Sequence, residues 1–161
     1  ERLARAGASA GRGHVLDYRA EARSTAAATA SGTDHRVTDV SGDFADFGAA
    51  IEETLRRIDF ERGGLDPGEL RFCYDSLRPV VEDEDDRDVE RVLSDCFDAV
   101  EDVSGVGCYV LPMARRSEAV ADIEPLFDAT VELRVGEAGP EQRWHLRDTE
   151  YTTDWFALDE R

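Results

Sequence analysis

Two stretches of the chain repeat their apolar residues every three or four positions, the spacing of an amphipathic helix. The first follows residues of the helix-capping types at positions 41–43 and consists of Phe44, Phe47, Ile51, Leu55 and Ile58. The second follows Asp88, which is able to cap it, and consists of Val89, Val92, Leu93, Cys96, Phe97 and Val100. We therefore predict two helices that each bury one apolar face.

Shorter apolar runs predict strands at 14–18, 36–40, 70–75 and 108–111. Because helices long enough to cross over separate them, we expect a mostly parallel sheet. From position 129 the period changes to two, and after a turn at 136–140 the alternation resumes, which predicts an antiparallel hairpin. Residues 155–158 either pair with this hairpin or cover an edge. The pattern predicts an α/β fold of three layers, with helices on both faces of the parallel sheet.

The predicted strand at 70–75 ends in Asp75 and Ser76, immediately before a helical pattern. Ligands of open α/β sheets bind at the carboxyl ends of the strands, so this pair marks a candidate site. Arg115 and Arg116 follow the strand that Pro112 closes and are expected at the same edge. They are candidate contacts for an anion, with pairing to the abundant carboxylates as the alternative.

Several other residues are of types that can take part in chemistry, but we expect structural roles for them. The cysteines at 73, 96 and 108 lie in apolar contexts, which predicts buried reduced thiols. The histidines at 14, 35 and 145 share no metal-ligand spacing, so no metal site is predicted. The aromatic residues at 144, 155 and 156 either stack on a nucleic-acid base or cover the end of a sheet.

The charge balance excludes several classes of partner. The chain of 161 residues carries 37 acidic against 19 basic residues, a net charge of −18, and contains no lysine. Molar salt removes the self-repulsion of such a chain, which favours a cytoplasmic protein of an extreme halophile over an ordinary acidic mesophilic protein. No basic stripe for nucleic acid and no apolar run of membrane-spanning length is present.

The segments 73–77, 108–111 and 126–133 together resemble the RecA/KaiC superfamily of P-loop ATPases, and more closely its small divergent KaiC-like domains from haloarchaea. The resemblance implies a RecA-like sheet in which the strand before Asp75 is the Walker B element. In an active relative, Asp75 would hold the water shell of Mg²⁺ and Ser76 would hydrogen-bond nearby. The resemblance further implies one RecA/KaiC-like domain over residues 1–161, from which an N-terminal strand and a phosphate loop are missing.

The chain departs from this family at two functional positions. A phosphate loop requires a lysine, and the chain has none. Where active relatives carry paired glutamates, only Glu21 is able to substitute, from a shifted position. We therefore expect no cofactor, with ATP and Mg²⁺ bound only if a phosphate loop lies upstream of Glu1.

These observations lead to a preferred function and two alternatives. We expect a non-catalytic domain that acts in signalling or regulation through contacts with a protein partner or with itself. One alternative is the C-terminal portion of a KaiC-like ATPase whose phosphate loop lies upstream. The other is a small-molecule binding module at the sheet edge near Asp75.

Overall fold

The structure is a computed structural model that describes residues 13–20 and 36–158. Its helices are α1 (Phe44–Arg62), α2 (Arg78–Asp83), α3 (Asp86–Asp102) and α4 (Glu118–Ile123), with a 3-10 turn at Glu124–Leu126. Its strands are β1 (His14–Ala20), β2 (Arg36–Gly42), β3 (Arg71–Asp75), β4 (Val106–Val110), β5 (Ala129–Gly136), β6 (Gly139–Leu146), β7 (Tyr151–Thr152) and β8 (Phe156–Ala157). The described residues divide into two compact units, one of 13–20, 36–73 and 84–108 and one of 74–83 and 109–158.

Helix α1 confirms the first predicted stripe. It begins with a capping box in which the Asp43 side chain accepts a hydrogen bond from the Asp46 backbone and the Asp46 side chain accepts one from the Asp43 backbone. It ends at Gly63, whose φ of 74° is the left-handed conformation that glycine adopts without strain. Four of the five stripe residues are buried, with Ile51 only 1% exposed, and Ile58 is half-buried.

Helix α3 confirms the second stripe and packs against α1. Its N-cap is Asp85, which accepts a hydrogen bond from the Arg87 backbone, rather than the predicted Asp88. The two helices approach closely at Gly48, where an added Cβ would lie 2.8 Å from Cγ1 of Val92. Together they form the core of the first unit.

Strands β1 and β2 confirm the first two predicted strands. They pair in parallel, from His14 opposite Arg36 to Ala20 opposite Gly42. The Tyr18 ring stacks on Phe47 of α1 with centroids 4.5 Å apart. The strand pair therefore packs on the same helix that carries the core of the first unit.

The predicted RecA-like, mostly parallel three-layer sheet is wrong. The described residues contain three small sheets, namely the parallel pairs β1–β2 and β3–β4 and a four-stranded antiparallel sheet. A central parallel strand is buried on both faces, but β3 alternates, with Arg71, Cys73 and Asp75 exposed. An apolar run alone does not determine how many strands flank it, so the local pattern was compatible with a strand that has one partner.

The C-terminal hairpin confirms the predicted change of period. Strands β5 and β6 pair antiparallel from Ala129 opposite Leu146 to Gly136 opposite Gly139, so the turn is shorter than the predicted 136–140. Strands β7 and β8 both pair with β6, which confirms that the segment at 155–158 adds to the hairpin. We call this four-stranded assembly the C-terminal sheet.

Candidate interaction surface

The structure places Asp75 at the end of β3, as predicted, but not inside a built site. Asp75 is exposed, Ser76 is half-buried, and the peptide bond between them is cis. The next helix, α2, starts at Arg78, two residues after Ser76. The Val81 amide donates a hydrogen bond to the Leu77 carbonyl. The alternative role of Asp75 as the cap of that helix stays a prediction.

The two arginines predicted for this edge differ in their surroundings. Arg115 donates from Nε to Oε1 of Glu124 at 2.8 Å, which is the expected alternative of pairing with a carboxylate. Arg116 is exposed. Glu21, the predicted substitute acidic residue, lies outside the described residues. Arg115 is thus paired with a carboxylate of its own chain.

The described residues give little support for a metal site or for a reactive thiol. Within 13–20 and 36–158, no group of three or more metal-ligating side chains is close enough to hold an ion. Cys96 is buried as predicted, and burial raises the pKa of its thiol to about 12. The prediction is wrong for Cys73 and Cys108, which are exposed because the β3–β4 pair is not covered on both faces.

The hairpin separates its residues into a charged face and an apolar face. On the charged face, Arg143 donates to Glu132 at 2.6 Å across the two strands. Two register pairs further along, on the same face, Arg134 donates to Glu141 at 2.7 Å. Opposite charges directly across a strand pair stabilise the ladder modestly, so these two pairs pin its register.

The Trp155 ring lies against the charged face. The guanidinium carbon of Arg134 is 4.0 Å from the centroid of the Trp155 ring, and that of Arg143 is 4.6 Å away. Both distances are within the range of a cation–π contact. The Trp155 ring thus lies over two arginines and attracts both of them through cation–π contacts.

Glu132 is the shared acceptor on this face. The hydrogen bond from Arg143 is the main reason that the pKa of Glu132 is lowered, and a bond with His145 adds to the effect. Nε2 of His145 lies 3.3 Å from Glu132, and its Nδ1 lies 3.0 Å from the Thr152 hydroxyl of β7. The Glu132 carboxylate is therefore bound by both Arg143 and His145.

The opposite, apolar face of the C-terminal sheet is exposed. The strand register places Val131 beside Trp144, and Leu146 beside Tyr151. Seven large apolar or aromatic side chains lie on this face, all exposed: Val131, Leu133, Val135, Trp144, Leu146, Tyr151 and Phe156. Exposure reaches 64% at Leu133 and 88% at Val135. We call this set the apolar patch.

The apolar patch is as large as the largest apolar patch of a typical monomer. A whole aromatic side chain presents about 150–250 Å², and a whole Val or Leu side chain presents about 60–120 Å². On these scales the exposed fractions of the three aromatic and four aliphatic side chains amount to roughly 500 Å². The largest apolar patch on a typical monomer is about 300–600 Å² and is often functional. The patch is therefore the strongest candidate for a functional surface within the described residues.

Sequence reasoning found the alternation in the hairpin but not which face is exposed. Trp144 and Phe156 lie in the apolar patch, whereas Trp155 lies on the charged face. A signal was available: Glu132 and Arg134 alternate on one predicted strand while Glu141 and Arg143 alternate on the other. Such complementary charges indicate a face that neutralises itself and leaves the other face for contact.

Comparison with known proteins gives one result. A family model described as a family of unknown function, DUF7504, matches residues 1–133, which is more than half of the chain. Neither the curated proteins nor the solved structures give a match. The resemblance to the RecA/KaiC superfamily finds no link in these comparisons and stays a prediction.

Proposed function

We propose that this chain, which belongs to the DUF7504 family, is a non-catalytic domain that acts in signalling or regulation through protein contacts. The apolar patch carries this proposal. A chain with an excess of 18 negative charges exposes roughly 500 Å² of apolar side chains on one face of its C-terminal sheet. A protein partner that covers this face would remove its apolar side chains from water, which favours binding.

The arrangement of charges supports a protein partner over a nucleic acid or a membrane. The paired side chains of β5 and β6 on the patch side are uncharged, and the arginines of these strands lie on the opposite face with their carboxylates. Binding to phosphates requires cations at the contact, which this face lacks. No helix among the described residues has the length and apolar character needed to cross a bilayer.

The groups considered for chemistry support a binding role. Arg115 is engaged by Glu124, and Asp75 is an exposed residue at a strand end. With no lysine in 161 residues, the chain itself has no phosphate loop of the Walker type. We assign no cofactor, and we place the protein in the cytoplasm of a halophile because its composition suits molar salt.

Site-specific photo-crosslinking tests the proposal. A photoreactive phenylalanine analogue at Leu133, in the patch, should crosslink to protein in an extract prepared in molar KCl, whether the partner is another protein or the chain itself. The same analogue at Phe60, which is 85% exposed on α1, is the matched control. Absence of any crosslinked protein at Leu133, or equal products at both positions, would contradict the proposal.

Calorimetry with ATP and Mg²⁺ tests the non-catalytic part separately. We expect no saturable heat of binding in molar KCl, since the chain has no loop lysine to bind a triphosphate and Arg115 is already paired with Glu124. Stoichiometric binding followed by turnover would contradict the assignment. An Asp75→Ala variant would then show whether the binding involves the predicted strand end.

A further inference from the structure

We infer that the occupant of the apolar patch is the same patch of a second copy, so that two chains pack their C-terminal sheets face to face. This inference rests on the proposed function and names its partner. In such an isologous interface the same surface is used by both copies around a two-fold axis. Antiparallel sheets pack in this way in β-sandwiches, with about 10 Å between them.

The area of the patch suits a dimer that dissociates on dilution. Two patches of roughly 500 Å² each would remove about 1,000 Å² from water, at the lower limit for a specific interface. The patch is also rich in the residue types that anchor interfaces, namely Trp144, Tyr151 and Phe156. A single sheet face thus supplies enough surface without help from the remainder of the chain.

Charge explains why two strongly acidic chains are able to meet at this face. The carboxylates of β5 and β6 in the paired register, Glu132 and Glu141, lie on the opposite side and are each bound by an arginine. Two copies that meet patch to patch therefore bring no like-charged side chains of these strands into contact. The net charge still repels at longer range, and molar salt screens that repulsion.

The shape of the patch supports packing along the whole hairpin. It extends from Leu146 and Tyr151 at one end of the sheet to Val135, next to the turn. Val135 is the most exposed member at 88%. Val135 contributes little to the buried surface of a single chain. A substitution of Val135 therefore tests contacts between chains rather than the folding of one chain.

Sedimentation equilibrium in molar KCl tests the inference. We expect a particle of twice the 17.9 kDa chain mass that dissociates on dilution. Val135→Arg should weaken the dimer at least about tenfold by placing an unpaired charge within an apolar contact. Phe60→Arg makes the same charge change at an equally exposed position and should leave the dimer unchanged. Val135→Ile should retain it.

The outcomes separate this inference from the proposed function. A monomer at the highest concentrations, or equal weakening by both arginine variants, overturns the homodimer. If Leu133 then crosslinks to a different protein, the proposed function stands and the homodimer is wrong. If it crosslinks to nothing, both are wrong. Unchanged far-UV circular dichroism of Val135→Arg shows that a lost dimer does not result from unfolding.

Discussion

Glu132 is the single residue on which the charged face depends most. It accepts a hydrogen bond from Arg143 at 2.6 Å and lies 3.3 Å from His145 Nε2. With Nε2 donating to Glu132, a neutral imidazole accepts from the Thr152 hydroxyl through Nδ1. One carboxylate thus links β5, β6 and β7.

We predict that Glu132→Gln lowers the free energy of unfolding at neutral pH by about 0.5–1 kcal/mol, the scale of a partly exposed ion pair. The pKa of Glu132 is lower in the folded chain than in the unfolded chain, so its stabilisation is present above the unfolded pKa. It is lost as the pH falls through the folded pKa. Urea unfolding of both proteins at neutral and acidic pH should show the difference shrinking with acidification.

The control for this prediction is Glu137→Gln. Glu137 is exposed in the hairpin turn, and its substitution removes the same charge without touching the network. Equal destabilisation by the two substitutions, or a difference that does not depend on pH, would show that Glu132 has no special role.

At the scale of elements, the close approach of α1 and α3 depends on a residue without a side chain. A Cβ at Gly48 would lie 2.8 Å from Val92 Cγ1, and Val92 is only 2% exposed. The β-branched valine has little rotational freedom with which to move aside. Alanine at this position therefore forces the helices apart or strains Val92.

We predict that Gly48→Ala lowers the free energy of unfolding by about 1–3 kcal/mol through overpacking, which outweighs the gain in helix propensity of about 1 kcal/mol. Chemical denaturation measures the change. Ala49→Gly, at the neighbouring exposed position, measures the propensity effect alone. The double substitution Gly48→Ala with Val92→Ala should destabilise by less than the sum of the single changes. A stabilised Gly48→Ala variant would contradict the packing.

The helices and the hairpin could be predicted because their signals are local. The stripe that begins at Phe44 follows a cap and precedes Gly63, and the alternation around Leu133 has a period of two. The number of partners of β3 is not a local property, so the apolar run that ends at Asp75 does not reveal that this strand has a single partner. The position of Trp155 depends on how the chain returns to β6, which no spacing in the sequence records.

The sequence predicts only part of the candidate surface, because the elements that cover a strand are not a local property of that strand. Alternation determines that Val131 and Leu133 share a face with one another and not with Glu132. It does not determine which of the two faces is covered. The cross-strand ion pairs and Trp155 cover the charged face, and this leaves the apolar face exposed.

At the scale of the whole molecule, charge dominates. An excess of 18 negative charges on 161 residues opposes the compact state in dilute buffer. Exposed ion pairs of helices α1, α2 and α3, such as Arg78 with Glu82 and Arg91 with Asp88, offset little of this repulsion. The fold should therefore depend on salt.

We predict that far-UV circular dichroism shows full structure in molar KCl and a progressive loss on transfer to dilute buffer, because screening is lost as the Debye length grows from about 3 Å at 1 M to about 30 Å at 0.01 M. Sucrose in place of KCl is the control, since it favours burial without screening charge. Undiminished structure in dilute buffer would contradict the assignment to a halophile.

Hydroxyl-radical footprinting in molar KCl, at concentrations below and above the association range, tests the central claim most directly. The account predicts that Trp144, Tyr151 and Phe156 are oxidised readily in dilute solution and become protected as the mass doubles, while Phe60 reacts equally in both. Equal oxidation of the three patch residues at both concentrations would contradict the account.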